Sequence, residues 1–307
     1  MTLLGNISKE VILEKYDELK TLSKTANYFK VSIELLRQYF IKNNIEYSKR
    51  RKYIVDNNFF KEDNEKSYYW AGFIAADGCV DKRLTISLGI KDKQHLENFV
   101  NDIKYTGIIK VESRIDKRES FKREFYENCG VRISSKEIIS DLKRFNIIKN
   151  KSKIYKFPSN LDNKYIRHFI RGLIDGDGWI YYENNNRNIG LCGTTDCVTF
   201  VFNHLKKELS LESGYHKTRD GGLEIMGFSK LLDLKKIINY LYKDSSIHLK
   251  RKYDNAMLIN SKEPRKISLD YDLLKLLKDS GKTNVDIGKI LGCSNCTVAR
   301  RMIEMNI

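Results

Sequence analysis

Proline is almost missing from this chain: 307 residues contain two, Pro158 and Pro264. Long elements can run uninterrupted, and the two prolines, in "YKFPSNLDNKY" and "SKEPRKISLDYD", read as junctions. No stretch of about eighteen apolar residues exists, which excludes a membrane-spanning helix. The start, "MTLLGNISKEV", lacks a basic leader and an apolar core, so no secretory signal is expected and a cytoplasmic, reduced setting is the default. The six cysteines, at 79, 129, 192, 197, 293 and 296, are too scattered for a disulfide framework. Cys293 and Cys296 form a C-x-x-C, but no second pair follows to complete a zinc site. Cys293 is expected as a small turn residue and Cys296 as a residue packed in a helix. Acidic side chains fall short of basic ones: 40 against 56, a net charge of +16. Such a field attracts polyanions, either nucleic acid or an anionic membrane surface. A solubility bias in a Lys- and Asn-rich chain would give the same excess. The 18 interleaved tyrosines lean toward nucleic acid, although ordinary strands use them too.

With 41% apolar residues the chain can bury a core, and its length implies two or three units. Residues 8–45 have helical spacing throughout. Val11, Ile12, Tyr16 and Leu19 give one apolar face. Ala26 and Phe29 then close a short helix, "KVS" makes a tight turn with Ser32 as N-cap, and Leu35, Leu36, Tyr39 and Phe40 line the next helix. This is helix-turn-helix spacing. The pattern returns in "NVDIGKILGCSNCTVARRMIEMNI": Gly288 at the small position, "GCS" as the turn with Ser294 as N-cap, then Val298, Met302 and Ile303. A plain three-helix capping bundle would read the same way. The expected organisation is an N-terminal helix-turn-helix domain (1–48), a basic linker (49–64), two similar halves (65–157 and 158–262) and a C-terminal helix-turn-helix domain (263–307).

Each half opens with a helix, Glu65–Ala76 or Asn163–Gly176. Alternating strand-like segments follow, interrupted by helices at Asp92–Ile103 and Asp196–Leu209 and closed by helices at Ser135–Phe145 and Phe228–Tyr242. The order is α-β-β-α-β-β-α, twice, which implies pseudo-twofold symmetry. The opening helices carry "YWAGFIAADGCV" and "FIRGLIDGDGWIYY", and a shift of 100 lays Gly72, Ile74, Asp77 and Gly78 on Gly172, Ile174, Asp177 and Gly178. Gly72 and Ala76 share one helix face, as do Gly172 and Gly176, so two helix backbones can approach closely there. Gly78 and Gly178 are expected as left-handed caps. Asp77 and Asp177 are disfavoured at the negative end of a helix dipole. A divalent cation would reverse that sign, and hard oxygen ligands suit Mg²⁺ or Mn²⁺. That is the chemistry of metal-assisted phosphodiester cleavage.

"WAGFIAADG" and "IRGLIDGDG" resemble the LAGLIDADG signature of homing endonucleases, in the single-chain, two-motif form. The resemblance covers about 200 residues. It implies an α+β fold in which motif helices form the interface between halves and two antiparallel sheets make a saddle over the DNA major groove. It implies that Asp77 and Asp177 are the catalytic acids, with metal held by them and by the backbone carbonyls of Ala76 and Gly176. The other acidic position is Ala75 in one motif and Asp175 in the other, so Asp175 is not expected to be catalytic. The family also places polar or basic residues near the cleavage site, here Lys91, Thr195, Lys151 and Lys250. These would stabilise the transition-state phosphate or orient attacking water, while for Lys151 and Lys250 plain surface charge is the alternative.

Base reading would come from alternate strand residues: Arg83, Thr85, Ser87, Glu112, Arg114 and Arg123 in the first half, and Tyr182, Asn184, Arg187 and Lys217 in the second. A register slip of one would swap the face. Ser32, Arg37, Gln38, Asn295, Arg300 and Arg301 are the candidate contacts of the terminal helices. Lys49, Arg50 and Arg51 would touch phosphates, unless the linker is a solvated tether. The implied partner is double-stranded DNA with a long asymmetric site, bound by a monomer and away from membranes. Two alternatives remain at this stage: a non-cleaving transcription regulator with a LAGLIDADG-like core, and an RNA-binding intron maturase. The five histidines form no His-Asn-His cluster, which counts against a different nuclease class.

Overall fold

The computed structural model describes residues 7–47, 53–115, 125–219, 221–263 and 270–306. The chain divides into two compact units within one helix, after Gly172. The sequence reading placed that division at 157/158.

The first unit begins with three helices, α1 (Lys9–Leu19), α2 (Leu22–Tyr28) and α3 (Ile33–Lys42). Ser8, Thr21 and Ser32 cap them through side-chain oxygens that accept backbone N–H groups. Ile12, Tyr16, Ala26, Leu36 and Phe40 form their common core. Then comes α4 (Glu65–Asp77), opened by a capping box between Asn64 and Ser67. Every residue from Ser67 to Ala75 is buried. A helix apolar on all sides is one surrounded by protein. It runs directly into β1 (Gly78–Val80), then β2 (Leu84–Gly89), α5 (Lys93–Asp102), β3 (Lys110–Ile115), β4 (Phe125–Ile133) and α6 (Lys136–Leu142). The four strands form an antiparallel sheet in the order β1-β2-β4-β3. Leu84, Ile86 and Leu88 alternate with solvent-facing neighbours, and Cys129, Val131 and Ile133 do the same on the paired strand, so one face packs on the core.

Helix α7 (Asn163–Asp177) spans the division. Its first ten residues pack in the first unit. Gly172 lies so close to α4 that a Cβ there would sit 2.1 Å from the Tyr69 carbonyl oxygen and 2.7 Å from the Phe73 nitrogen. This is the close backbone approach that the small residues predict. Beside it, the wholly buried Arg171 donates to Glu65 at 2.7 Å. Removing Glu65 would cost up to about 3–5 kcal/mol, because the Arg171 guanidinium would stay buried without its carboxylate.

The second unit repeats the order: the end of α7, β5 (Gly178–Glu183), β6 (Asn186–Thr194), α8 (Thr195–Glu208), β7 (Tyr215–Arg219), β8 (Leu223–Phe228) and α9 (Leu231–Tyr242). Its sheet has the matching order β5-β6-β8-β7. Asn184 and Asn185, both left-handed, make the tight β5–β6 turn. One element exceeds the expected seven: α10 (Lys250–Asn260), whose Asn255 donates to the Ile180 carbonyl of β5 at 2.8 Å.

The unit ends in α11 (Tyr271–Asp279), α12 (Asn284–Ile290) and α13 (Asn295–Met305). Their core of Leu274, Ile287, Val298 and Met302 is Ile12, Thr25, Leu36 and Phe40 shifted by 262 (for example 274 − 12), and those four are buried as well. Helices α2 and α12 share both bounds under this shift. Ser294 caps α13 as Ser32 caps α3. A Cβ on Gly288 would meet the Cys293 carbonyl oxygen at 2.7 Å, so the position must stay small. The cysteine expectation reverses in part: Cys293 packs on this core, whereas Cys296 is exposed.

Candidate metal centre and nucleic-acid interface

Both motif helices end in an exposed aspartate, Asp77 or Asp177, two residues beyond a buried stretch, 67–75 or 168–175. The glycines that follow are not left-handed caps. Gly78 is extended (φ −82°, ψ 148°), and its N–H bonds to the Ile74 carbonyl. Neither it nor Gly178 is among the positive-φ residues. Glycine is required for room instead. The chain turns from helix into strand so tightly that a Cβ on Gly78 or Gly178 would lie 2.7 Å from the Ile74 or Ile174 carbonyl oxygen.

A buried lysine reaches each of these helix ends. In the first unit Lys151, 5% exposed, donates to the Ala76 carbonyl at 3.2 Å. In the second, Lys252, 4% exposed, donates to the carbonyls of Ile174 (2.7 Å), Asp175 (2.7 Å), Gly176 (3.2 Å) and Gly178 (2.6 Å). An ammonium at the carbonyl end of a helix satisfies its orphan acceptors and opposes its dipole. The sequence reading chose Lys250. That side chain is exposed and pairs with Asp254 at 2.7 Å, one helical turn away. Lys252 stands two residues further on, in the first turn of α10, which directs its side chain inward.

The carbonyls of Ala76 and Gly176, expected as metal ligands, thus each already accept from an ammonium. A cation there would face that charge, so the exposed carboxylates are the better donors. Among the described residues, no three His, Cys, Asp or Glu side chains gather into a metal cluster. One or two carboxylates suffice for Mg²⁺, which fills its shell with water and phosphate oxygens. The Cys197 thiol is pushed up to about 12, first by burial and then by Asp196 and Asp177. Asp175, by contrast, is buried and spends its carboxylate on the Tyr242 hydroxyl (3.0 Å) and the Leu249 N–H (2.8 Å), anchoring the approach to α10. Lys91 is exposed in the turn after β2, and Thr195 is exposed as the first residue of α8.

The open face of the first sheet carries Arg83, Thr85, Ser87 and Glu112, as the alternation predicts, around a concavity of ≈ 720 Å³. Lys110, Asn128 and Arg132 share this face and were missed. Their signal lay in the buried alternation of Cys129, Val131 and Ile133, which sends 128, 130 and 132 outward. The Arg114 side chain, Arg123, and the linker residues Lys49, Arg50 and Arg51 lie outside the described residues.

In the second sheet the face expected to be open on β5 and β6 is the covered one. Tyr182 lies on the covered face with Ile180, under the Lys262 ammonium (5.2 Å from its ring), and Arg187 pairs with it across the strands. Asn184 sits in the turn. The open face instead carries Trp179, Tyr181, Asn188, Tyr215 and the expected Lys217. Helix α10 covers the face that the sequence reading had left to solvent.

On the terminal helices, Arg37 and Gln38 both bond to Glu34, and Arg300 and Arg301 pair with Glu304. Exposed pairs of this kind are worth about 0–1 kcal/mol and release readily to a phosphate. Ser32 and Asn295 begin their helices. Among the described residues, no helix is long and apolar enough to cross a membrane.

No family model and no curated protein matches the sequence. Solved structures similar in fold include the homing endonuclease I-WcaI bound to its DNA recognition sequence, at 15% identity and a TM-score of 0.47, covering 69% of this chain and 96% of that one. The meganuclease I-SmaMI bound to uncleavable DNA is similar at 14% identity and a TM-score of 0.44, covering 69% and 96%. Full-length DUF199/WhiA from Thermatoga maritima is similar at 12% identity and a TM-score of 0.40, covering 81% and 95%.

Proposed function

We propose that this chain is a site-specific double-strand DNA endonuclease of the LAGLIDADG homing type, acting as a monomer because one chain carries both motifs. The observation that carries the proposal is the doubled helix end: an exposed aspartate, a tight glycine exit and a buried lysine on the terminal carbonyls, once in each unit. Asp77 and Asp177 are the metal-holding carboxylates. A bound Mg²⁺ or Mn²⁺ would activate water and stabilise charge on the phosphate. Lys151 and Lys252 hold positive charge at the helix ends and fix the backbone from which the aspartates project. Lys91 and Thr195 are the polar groups available to orient water or phosphate. The sheets' open faces read bases, and the excess of basic charge supplies sequence-independent attraction to the backbone.

The terminal three-helix domains extend the footprint, with α3 and α13 as the reading helices. They also suit a second reading, a regulator that binds DNA without cutting. Retention of both exposed aspartates favours the enzyme. Selection of cleaved duplexes from a random-sequence DNA pool with Mg²⁺ tests the proposal. It expects one long asymmetric site. Specific binding without cleavage in Mg²⁺ or Mn²⁺ would support the regulator instead.

A further inference from the structure

The open faces of the two sheets differ in chemistry. On the first, Arg83, Thr85, Lys110, Asn128 and Arg132 offer hydrogen-bonding groups. On the second, the row beside the Asp177 helix end runs Trp179, Gly190, Gly227, Tyr215 across all four strands, each residue directly opposite the next. The two glycines make room for the two rings. A Cβ on Gly190 would strike the Trp179 ring at 2.1 Å, and one on Gly227 would strike the Tyr215 hydroxyl at 2.6 Å and its ring at 2.7 Å. The rings therefore lie inward on bare backbone as a low, flat plate. The indole's one donor, its N–H, is spent on the Asn188 side-chain oxygen at 2.8 Å. The next row, Cys192 and Ile225, is apolar and half-buried, and Lys217 closes it at the sheet edge.

We infer that this plate reads the 5-methyl groups of thymines in the half-site held by the second sheet. The inference rests on the proposed major-groove role of the sheets. The major groove offers hydrogen-bonding edges on every base pair and one protruding apolar group, the thymine methyl. The indole, with its one donor satisfied, offers the base edges nothing further and excludes water over the methyl, while the Tyr215 hydroxyl is the polar group at the far end of the row. With its oxygen accepting from Trp179, Asn188 reads as a donor, to an acceptor such as purine N7 or thymine O4. The first sheet reads its half-site by hydrogen bonds, so the two half-sites follow different rules.

Binding selection in Ca²⁺ with the full chain and a random duplex pool tests this. Arg132→Ala identifies which half of the recovered site belongs to the first sheet. Thymines are expected in the inner positions of the other half. Replacing those thymines with deoxyuridine, which removes only the methyl, weakens binding about fourfold per position. The same replacement in the first half has no effect. Trp179→Gln binds the thymine and deoxyuridine duplexes equally. A recovered site indifferent to deoxyuridine in the second half would overturn the inference while leaving the DNA-binding proposal standing. Recovery of no specific duplex would overturn both. A large change of 2-aminopurine fluorescence at an inner position would also overturn it, since that reports an unstacked base lying on the plate.

Discussion

Replacing Gly172 with alanine tests whether the motif helices meet through bare backbone. The added Cβ would lie 2.1 Å from the Tyr69 carbonyl oxygen and 2.7 Å from the Phe73 nitrogen, where contacts under 3.0 Å essentially never occur. Both obstacles are main chain, so no rotamer change relieves them, and the helices must part by about 1 Å. Overpacking typically costs about 1–3 kcal/mol, and a rigid backbone contact belongs at the top of that range. Alanine's better helix propensity returns about 1 kcal/mol. The net loss is about 2 kcal/mol, a fall in melting temperature of roughly 4–8 °C for a unit of this size. Gly89→Ala is the control, since a Cβ there meets nothing within 4 Å. Thermal melting of both variants decides the matter. If Gly172→Ala melts with Gly89→Ala, close to the parent chain, the tight crossing is wrong.

Lys252→Met removes the ammonium from four carbonyls and should cost about 2–4 kcal/mol in urea unfolding, whereas Lys250→Ala should stay within about 0.5 kcal/mol. His168 is pushed down to about 4 by burial and by Arg171, against the opposing pull of Glu65. Its unfolded form takes up a proton near 6.5, so its contribution to stability is intact above that pH, falls between about 6.5 and 4, and then levels off. His168→Gln should flatten that part of a pH–stability profile. Arg132→Ala should relax base preference in one half-site by about 1–3 kcal/mol, while Arg187→Ala, on the covered side of its sheet, should leave the preferences unchanged in a binding-site selection.

The motif helices and the terminal three-helix repeats are legible in the sequence because each rests on local periodicity plus a small residue, and the two sheets because their strands alternate. Gly172 and Gly288 show why: each sits where another backbone would strike a side chain. What was not legible depends on tertiary cover. "KRKYDNAMLIN" is amphipathic only weakly, so α10 went unseen, and with it the covered face of β5 and the inward turn of Lys252. The caps at Gly78 and Gly178 failed for another reason. Glycine's need for space and its tolerance of positive φ leave the same letter in the sequence.

The most direct test of the paired aspartates uses a duplex recovered by the cleavage selection, incubated with Mg²⁺ and the parent chain, Asp77→Asn or Asp177→Asn. The parent is expected to cut both strands and to stop when the metal is chelated, and each single substitution to abolish double-strand cleavage while specific binding persists. Double-strand cleavage at the parent rate by either variant, or by the parent without metal, would contradict their metal-holding role.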